Sequence, residues 1–226
     1  MTAPTTRPEQ VGLVTPETPT LEVRSVHLED PLVRPLVDEL SREYWNRYRR
    51  VLTAEQLREE MEHYPARDFA PPHGDLILLL EHARPASQVP STDAVVAGGA
   101  FRRRTEPELG DADRLTRPGT RRTDGSPAVR TAELKRIWTH SAHRRRGLAR
   151  QVLAELEQRA AARGYRRIYL TTGPRQPEAA GLYLATGYTA LFDRAAEPET
   201  LGPLAFEKWL CTDTPRRAPL LLPSRR

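Results

Sequence analysis

Short apolar runs along the chain predict strands. Residues 21–26 alternate between apolar and polar side chains, and the runs 75–80 (DLILLL) and 94–101 (AVVAGGAF) are almost entirely apolar. Successive side chains of a strand point to opposite faces, so alternation indicates a half-buried strand and a continuous run indicates a strand buried on both faces. We predict that the second and third runs form an antiparallel pair.

Two helices are predicted between the first and second strands. Thr53 followed by Gln56 matches a capping box, in which two side chains satisfy the free N–H groups at a helix start, so one helix is expected to begin near Thr53. An earlier helix is expected to begin after Asp30 and Pro31. Its apolar residues share one helical face and are Leu32, Leu36, Leu40, Tyr44 and Tyr48.

The second half of the chain alternates strands and helices. Residues 131–139 (TAELKRIWT) and 167–172 (RIYLTT) predict strands on either side of an amphipathic helix that Gly164 ends. A strand, helix, strand order predicts a crossover unit whose two strands lie in one sheet. A further helix is expected to begin at Pro177, and two closing strands over 188–192 and 204–210.

One domain accounts for the patterned part of the 226 residues. Residues 1–20 are rich in proline and threonine and residues 212–226 in proline and arginine, compositions that do not build a core. We therefore expect a disordered leader (1–20), a single domain (21–211) and a basic flexible tail (212–226). Residues 103–130 contain almost no large apolar side chain and are expected to form a mobile insertion within the domain.

Composition limits the classes of protein that the chain can represent. No run of eighteen apolar residues is present, so we expect no membrane-spanning helix. Cys211 is the only cysteine, which excludes an internal disulfide framework and fits the cytoplasm. His140 and His143 have no further ligands at zinc spacing, so no metal is expected. The net charge of +5 raises a nucleic-acid-binding alternative, but acidic residues are interspersed along the chain.

The segment 143–150 (HRRRGLAR) carries the most chemical information. It joins a predicted strand to a predicted helix start, where the first N–H groups lack partners and the helix dipole favours an anion. Gly147 allows a phosphate to approach the backbone closely, and Ala149 leaves the next turn open. An ordinary basic surface turn has a similar composition, but the G-x-G-x-x-G and G-x-x-x-x-G-K-[ST] motifs of other nucleotide sites are absent.

The string Arg144-x-x-Gly147-x-Ala149 resembles the Q/R-x-x-G-x-G/A turn between the fourth strand and third helix of the GNAT superfamily of N-acetyltransferases. The flanking strings AELKRIW and GYRRIYLTTGPRQPEAAGLYLATGY are also similar to that family. The resemblance is strongest over 132–192 and extends over 21–210. It implies a mixed α/β (α+β) fold, with helices on both faces of a twisted, mainly antiparallel sheet that is splayed between strands 4 and 5.

The resemblance also implies an activity. Members transfer an acyl group from acyl-CoA to a primary amine by direct attack in a ternary complex. For this chain we expect acetyl-CoA as the donor and a small-molecule amine or a peptide as the acceptor. The cofactor's pyrophosphate would lie on backbone amides of the turn, and its pantetheine arm would pair with the end of the fourth strand. The implied cofactor-binding residues are Ile137, Trp138, Thr139, Arg144, Arg145, Arg146, Gly147, Leu148, Ala149, Arg150 and Thr172.

Two residues are candidates for proton transfer in that reaction. Glu133 lies eleven residues before Arg144, the spacing of the general-base glutamate in several family members. The alternatives are a strand glutamate paired with Lys135, and a water path as the base. Tyr183, within L-Y-x-x-x-G-Y, matches a tyrosine that protonates the CoA thiolate, and the alternative is a ring that packs on the sheet.

Other possibilities stay open at the level of the sequence. A protein of the same fold that senses acyl-CoA without turnover is one alternative, and a basic nucleic-acid-binding module is another. The chain is expected to be a monomer or a homodimer. Tyr44 and Tyr48 are candidate acceptor contacts, but their helical spacing favours packing against the core. Glu43 and Asp75 are candidates for attracting a cationic amine, or carboxylates exposed to solvent.

Overall fold

The structure is a computed structural model and describes residues 20–82, 94–106 and 129–210. The predicted tail, the predicted leader apart from Thr20, and most of the predicted insertion 103–130 lie outside the described residues, as does Cys211. None of the helices in these described ranges has both the length and the apolar character that a membrane span requires.

Seven strands form one open sheet in the order β1-β2-β3-β4-β5-β7-β6. Every neighbouring pair is antiparallel except β4 and β5, which are parallel. This confirms the predicted mixed α/β fold with a mainly antiparallel sheet. The strands are β1 (Thr20–Ser25), β2 (Asp75–His82), β3 (Ala94–Arg103), β4 (Thr131–Thr139), β5 (Arg167–Thr172), β6 (Thr189–Ala190) and β7 (Leu204–Trp209).

Helices begin where the sequence places caps. Thr53 Oγ1 accepts a hydrogen bond from the Gln56 N–H (3.2 Å), and Gln56 Oε1 accepts one from the Thr53 N–H (2.9 Å), which confirms the capping box. Asp30 accepts a hydrogen bond from the Leu32 N–H, so a short 3-10 turn precedes the first helix. The α-helices are α1 (Arg34–Tyr48), α2 (Ala54–Glu62), α3 (Leu148–Ala162), α4 (Pro177–Ala185) and α5 (Pro198–Leu201).

Helices cover both faces of the sheet. Along β2, Leu76, Leu78 and Leu80 pack in the cluster that contains α1, whereas Ile77 and Leu79 pack in the cluster that contains α3. This explains why the predicted strand is continuously apolar. In β3, a Cβ atom at Gly98 would lie 2.9 Å from the Leu36 side chain of α1, and one at Gly99 would lie 2.9 Å from the Val152 side chain of α3. The glycine pair therefore lets both helices approach the sheet closely.

Strands β4 and β5 are paired only at their beginnings. Thr131 to Glu133 pair with Arg167 to Tyr169, and β4 then continues to Thr139 without a partner in β5. On its other side, β4 has a register shift against β3, and Arg136 within it has a φ of 57°. The predicted splay between the fourth and fifth strands lies at this point, and it opens the sheet beside the end of β4.

Candidate active site

A cleft of about 1290 Å³ opens where β4 and β5 separate. Residues of β4 line it along its length, α1 and α2 line one side, α4 lines another, and the turn before α3 lies at the end of β4. Ligand pockets for one drug-sized molecule are typically about 300–1,000 Å³. The cleft is therefore large enough to hold two reactants at once.

The turn that precedes α3 has the geometry of an anion site. Gly147 is the N-cap of α3 with a φ of 80°, and Arg145 has a φ of 65°. A Cβ atom at Gly147 would have no neighbour within 4 Å, so the backbone is open to the cleft there. Between described residues, no hydrogen bond takes up the N–H groups of Gly147, Leu148 or Ala149. These N–H groups, at the positive end of the helix dipole, can receive a phosphate.

Two arginines tie this turn to the rest of the fold. Arg144 Nη2 lies 3.0 Å from Glu43 Oε2 on α1, and Arg146 Nη1 lies 2.7 Å from Glu81 Oε2 on β2. All the predicted cofactor-binding residues line the cleft except Arg146. Its side chain pairs with Glu81 instead.

Glu39, which the sequence analysis missed, holds the end of β4. Its Oε2 accepts a hydrogen bond from Trp138 Nε1 (2.7 Å), and both of its oxygens lie 3.2 Å from the Ser141 backbone nitrogen. Burial raises the pKa of Glu39, but the hydrogen bonds from Ser141 and Trp138 outweigh it, so the pKa lies below its usual value. Glu39, Glu43 and Arg47 are spaced four residues apart on α1, and this polar stripe was the available sequence signal.

The stripe continues across the cleft to the loop before α4. Arg47 donates a hydrogen bond to Glu43 Oε1 (2.6 Å) and forms an ion pair with Glu178. Tyr48 accepts a hydrogen bond from the Arg175 N–H (3.3 Å), and its ring lies where a side chain at position 173 would otherwise be. Tyr48 is therefore a packing residue at the cleft wall, as the alternative interpretation predicted.

Glu133 lies in a buried ion-pair network at the cleft. Its Oε1 is 2.9 Å from Arg104 Nη1 and 3.0 Å from Lys135 Nζ, and its Oε2 is 2.8 Å from Arg102 Nη2. The side chains of Glu133, Arg102 and Arg104 are 2%, 3% and 5% exposed. The predicted pair with Lys135 is present, and the two arginines were not foreseen. Both carboxylate oxygens are thus fixed in place by cations.

Tyr183 packs in the core and also lines the cleft. Its ring centroid is 5.6 Å from that of Tyr188 and 5.5 Å from that of Phe206. Burial raises the pKa of the Tyr183 phenol well above its usual value near 10. Within the described part of the chain, no hydrogen bond occupies its hydroxyl group. The phenol therefore keeps its proton at neutral pH and can donate a hydrogen bond into the cleft.

Asp75 lies in neither of the two environments that the sequence suggested for it. Its carboxylate is 2% exposed and pairs with Arg159 on α3 (3.2 Å) and with Arg163, the residue that caps the end of α3 (2.8 Å). It does not belong to the cleft lining. Both interpretations, a carboxylate exposed to solvent and an acceptor contact, are wrong, because two arginines at the end of α3 pair with the carboxylate and bury it. Among the described residues, no group of three or more His, Cys, Asp or Glu side chains is arranged to hold a metal ion.

The splayed sheet and the turn at the start of α3 define an acyl-CoA-dependent N-acyltransferase, and the sequence itself supports that class. The sequence model of the acetyltransferase (GNAT) family matches residues 37–188, about two thirds of the chain. The chain belongs to this family, which confirms the resemblance that its turn motif indicates.

Solved structures share the fold at low sequence identity. An acetyltransferase from Streptococcus agalactiae is 16% identical, covering 84% of this chain and 98% of that one, with a TM-score of 0.51. PaiA N-acetyltransferase from Thermoplasma acidophilum, in complex with coenzyme A, is 12% identical over 84% and 99% of the two chains (TM-score 0.51). Arabidopsis thaliana NAA60, in complex with a bisubstrate analogue, is 12% identical over 85% and 100% (TM-score 0.51). No curated protein matches the sequence significantly.

Proposed function

We propose that the protein transfers an acetyl group from acetyl-CoA to a primary amine, by direct attack in a ternary complex. The observation that supports this is the continuity of the cleft. It runs from the open backbone of Gly147, along the unpaired edge of β4, to Glu133 and Tyr183. The structural relatives in complex with coenzyme A and with a bisubstrate analogue are consistent with two reactants in such a cleft.

The cofactor would occupy the end of the cleft next to α3. Its phosphates would bind the N–H groups that begin α3 at Gly147, with Arg145 and Arg150 supplying positive charge nearby. Its pantetheine arm would hydrogen-bond the backbone from Ile137 to Thr139, the part of β4 that has no partner in β5. Thr172 lies across the splay at the end of β5 and lines the same cleft. The acetyl group would then lie near Arg136, at the register shift between β3 and β4.

The reaction forms a bond between the amine nitrogen and the acetyl carbon and breaks the bond between that carbon and sulfur. The attacking amine must be neutral, because an ammonium group has no lone pair. In the proposed mechanism, Glu133 takes a proton from the amine, directly or through a water molecule. Tyr183 hydrogen-bonds or protonates the departing thiolate. Burial raises the pKa of its phenol, so the proton stays on the oxygen until the thiolate forms, and a hydrogen bond is favoured over full proton transfer.

Replacing Glu133 tests its role. Because Glu133 belongs to a buried ion-pair network, the replacement should change the stability of the fold as well as the rate. Glu133→Gln should lower the rate at moderate pH, with a smaller effect at high pH where the amine is already deprotonated. It should also destabilise the fold by about 3–5 kcal/mol, because Arg102 and Arg104 would lose their buried carboxylate. The measurements are the pH dependence of kcat/KM and unfolding in urea.

Glu22→Gln is the matched control, since Glu22 is also a strand glutamate paired with an arginine, but it is exposed. It should change stability by less than about 1 kcal/mol. If folded Glu133→Gln has the same pH profile as the unmodified protein, another group or water takes the proton.

The activity itself is tested with a panel of amines assayed for thiol release from acetyl-CoA. CoA at 100 times its dissociation constant should stabilise the protein by about 2.7 kcal/mol. A protein that only senses acyl-CoA would show this stabilisation without turnover. A nucleic-acid-binding module would instead bind nucleic acid in a salt-dependent way that CoA does not compete. The single cysteine is consistent with action in the cytoplasm.

A further inference from the structure

Apolar side chains line the cleft on the side of α1 and α2. Val51 and Leu52 follow the end of α1, where their N–H groups both donate hydrogen bonds to the Tyr48 carbonyl (2.8 Å each) and turn the chain back. Leu57 of α2 lines the same cleft. Of the large apolar side chains that are exposed among the described residues, Val51 (56%) and Leu52 (37%) are the two that line the cleft. We refer to Tyr48, Val51, Leu52 and Leu57 as the apolar wall.

The apolar wall continues along α1 to the proposed reacting groups. Tyr44 and Tyr48 lie about one helical turn apart, with ring centroids 5.6 Å from each other, and both line the cleft. Burial raises the pKa of the Tyr183 phenol most, and Tyr44 raises it further, so Tyr44 lies close to the group that is proposed to meet the thiolate. An acceptor whose nitrogen lies at this centre can therefore extend its carbon atoms along α1 to the apolar wall.

Polar side chains on this side of the cleft already have roles within the protein. Glu43 pairs with Arg47 and Arg144, and Gln56 Oε1 accepts the hydrogen bond from the Thr53 N–H. Residues 107–128, which follow the cleft residue Glu106 in the chain, include only two large apolar residues, both leucines. That segment therefore has little apolar surface with which to match the wall. The contacts that this side of the cleft offers to an acceptor are chiefly apolar.

We propose that the acceptor is a primary amine with an apolar carbon chain, such as an alkylamine or an arylalkylamine, and that the apolar wall binds this chain. Removing apolar carbon from water favours the complex in proportion to the area buried. A chain that ends in a polar or charged group would lose hydration against the wall and gain no hydrogen bond from its aliphatic side chains. The inference rests on the proposed acetyl transfer and names its acceptor class.

Two members of the apolar wall also stabilise the start of α2. Leu52 and Leu57 occupy the positions on either side of the Thr53 cap at which apolar side chains commonly pack together as a hydrophobic staple. Val51 occupies neither position and is the most exposed of the group, so this packing does not explain it. Val51 therefore reports on ligand binding rather than on the stability of the helix.

A series of linear amines from propylamine to hexylamine tests the inference, with thiol release from acetyl-CoA as the assay. The length of an alkyl chain barely changes the basicity of its amine, so the rates compare directly. We expect kcat/KM to rise at least about tenfold from propylamine to hexylamine, since each fully buried CH2 group contributes about fourfold. 2-Methoxyethylamine, which is nearly isosteric with butylamine, should react more slowly than butylamine when both rates are expressed per neutral amine.

Variants of the exposed wall residues connect that preference to the wall. Val51→Ser and Leu52→Ser should each lower the ratio of hexylamine to propylamine at least about twofold, and the double variant should bring it below about threefold, with CoA affinity unchanged. Trp45→Ser is the matched control, because Trp45 is an exposed apolar residue of α1 (41%) that does not line the cleft, and it should keep the full ratio. If Leu52→Ser loosens α2, Val51→Ser reads the same ratio independently.

The outcomes separate the inference from the proposed function. Equal rates along the series overturn the apolar-acceptor inference, as they would if another part of the chain covered the wall. A ratio that falls in Trp45→Ser as much as in the wall variants overturns the assignment to the wall. Turnover of amines with polar chains but of no alkylamine also overturns the inference, and leaves acetyl transfer in place. Absence of both CoA binding and thiol release refutes the proposed function itself.

Discussion

Gly147→Asp should reduce the affinity for CoA at least about 100-fold. Gly147 begins α3 with its backbone open to the cleft, so an aspartate there would place a carboxylate where the phosphates are proposed to bind. Two unit charges 4 Å apart near a protein surface repel by about 4 kcal/mol, which is ample for a loss of this size. Titration calorimetry with CoA measures the effect directly.

Gly147→Asn is the matched control for this prediction. Asparagine has nearly the same shape as aspartate and tolerates a positive φ about as well, so both variants impose a similar conformational cost at φ 80°. Only aspartate adds a negative charge, and aspartate is also a favourable N-cap that should not unfold α3. We expect the asparagine variant to bind CoA clearly more tightly than the aspartate variant. Unchanged CoA affinity in Gly147→Asp would refute the phosphate assignment.

Local sequence signals were sufficient for the elements that position the cleft. The capping box at Thr53 and Gln56 acts within one turn of helix, and the apolar run of β2 reflects burial on both faces. The turn from Arg144 to Ala149 is also local, which is why a motif could identify it. In each case the residues that determine the structure lie within a few positions of one another.

Contacts between distant parts of the chain could not be read in the same way. Glu133 pairs with Lys135, two residues away, as one interpretation of the sequence expected, but its further partners are Arg102 in the neighbouring strand β3 and Arg104 just after that strand. Asp75 is buried by arginines more than eighty residues further along the chain. Such pairs depend on the register of strands and the placement of helices, which the sequence pattern does not specify.

The register shift of β4 is a second kind of feature that the pattern of apolar and polar residues does not predict. In the string ELKRIW, regular alternation would place Lys135 and Arg136 on opposite faces. The register shift against β3 brings both side chains to one aromatic cluster, with Lys135 Nζ 4.8 Å from the Tyr64 ring centroid and Arg136 Cζ 4.5 Å from the Phe69 ring centroid. The predicted strand over 188–192 is shorter in the structure. Its Tyr188 packs in the core beside Tyr183, and only Thr189–Ala190 pairs with β7.

Helix α1 supports the end of β4 and the turn that follows it. Glu39 holds Trp138 and Ser141 at the end of β4, and Glu43 holds Arg144 in the phosphate turn. Leu40 and Tyr44 of the same helix line the cleft directly. The predicted apolar face of this helix thus lines the cleft at Leu40 and Tyr44, whereas its polar stripe contacts β4 and the turn.

Tyr183→Phe should lower kcat about 100-fold while leaving CoA affinity and stability nearly unchanged. General acid catalysis by a positioned side chain typically contributes a factor of about 100 or more, and the phenylalanine ring preserves the packing against Tyr188 and Phe206. Tyr188→Phe is the matched control, because its hydroxyl donates a hydrogen bond to Glu157 (2.8 Å) and not into the cleft. That control should lose some stability and keep its kcat. Steady-state kinetics with saturating acetyl-CoA measures both variants, and a kcat for Tyr183→Phe within twofold of the unmodified protein would show that the thiolate obtains its proton elsewhere.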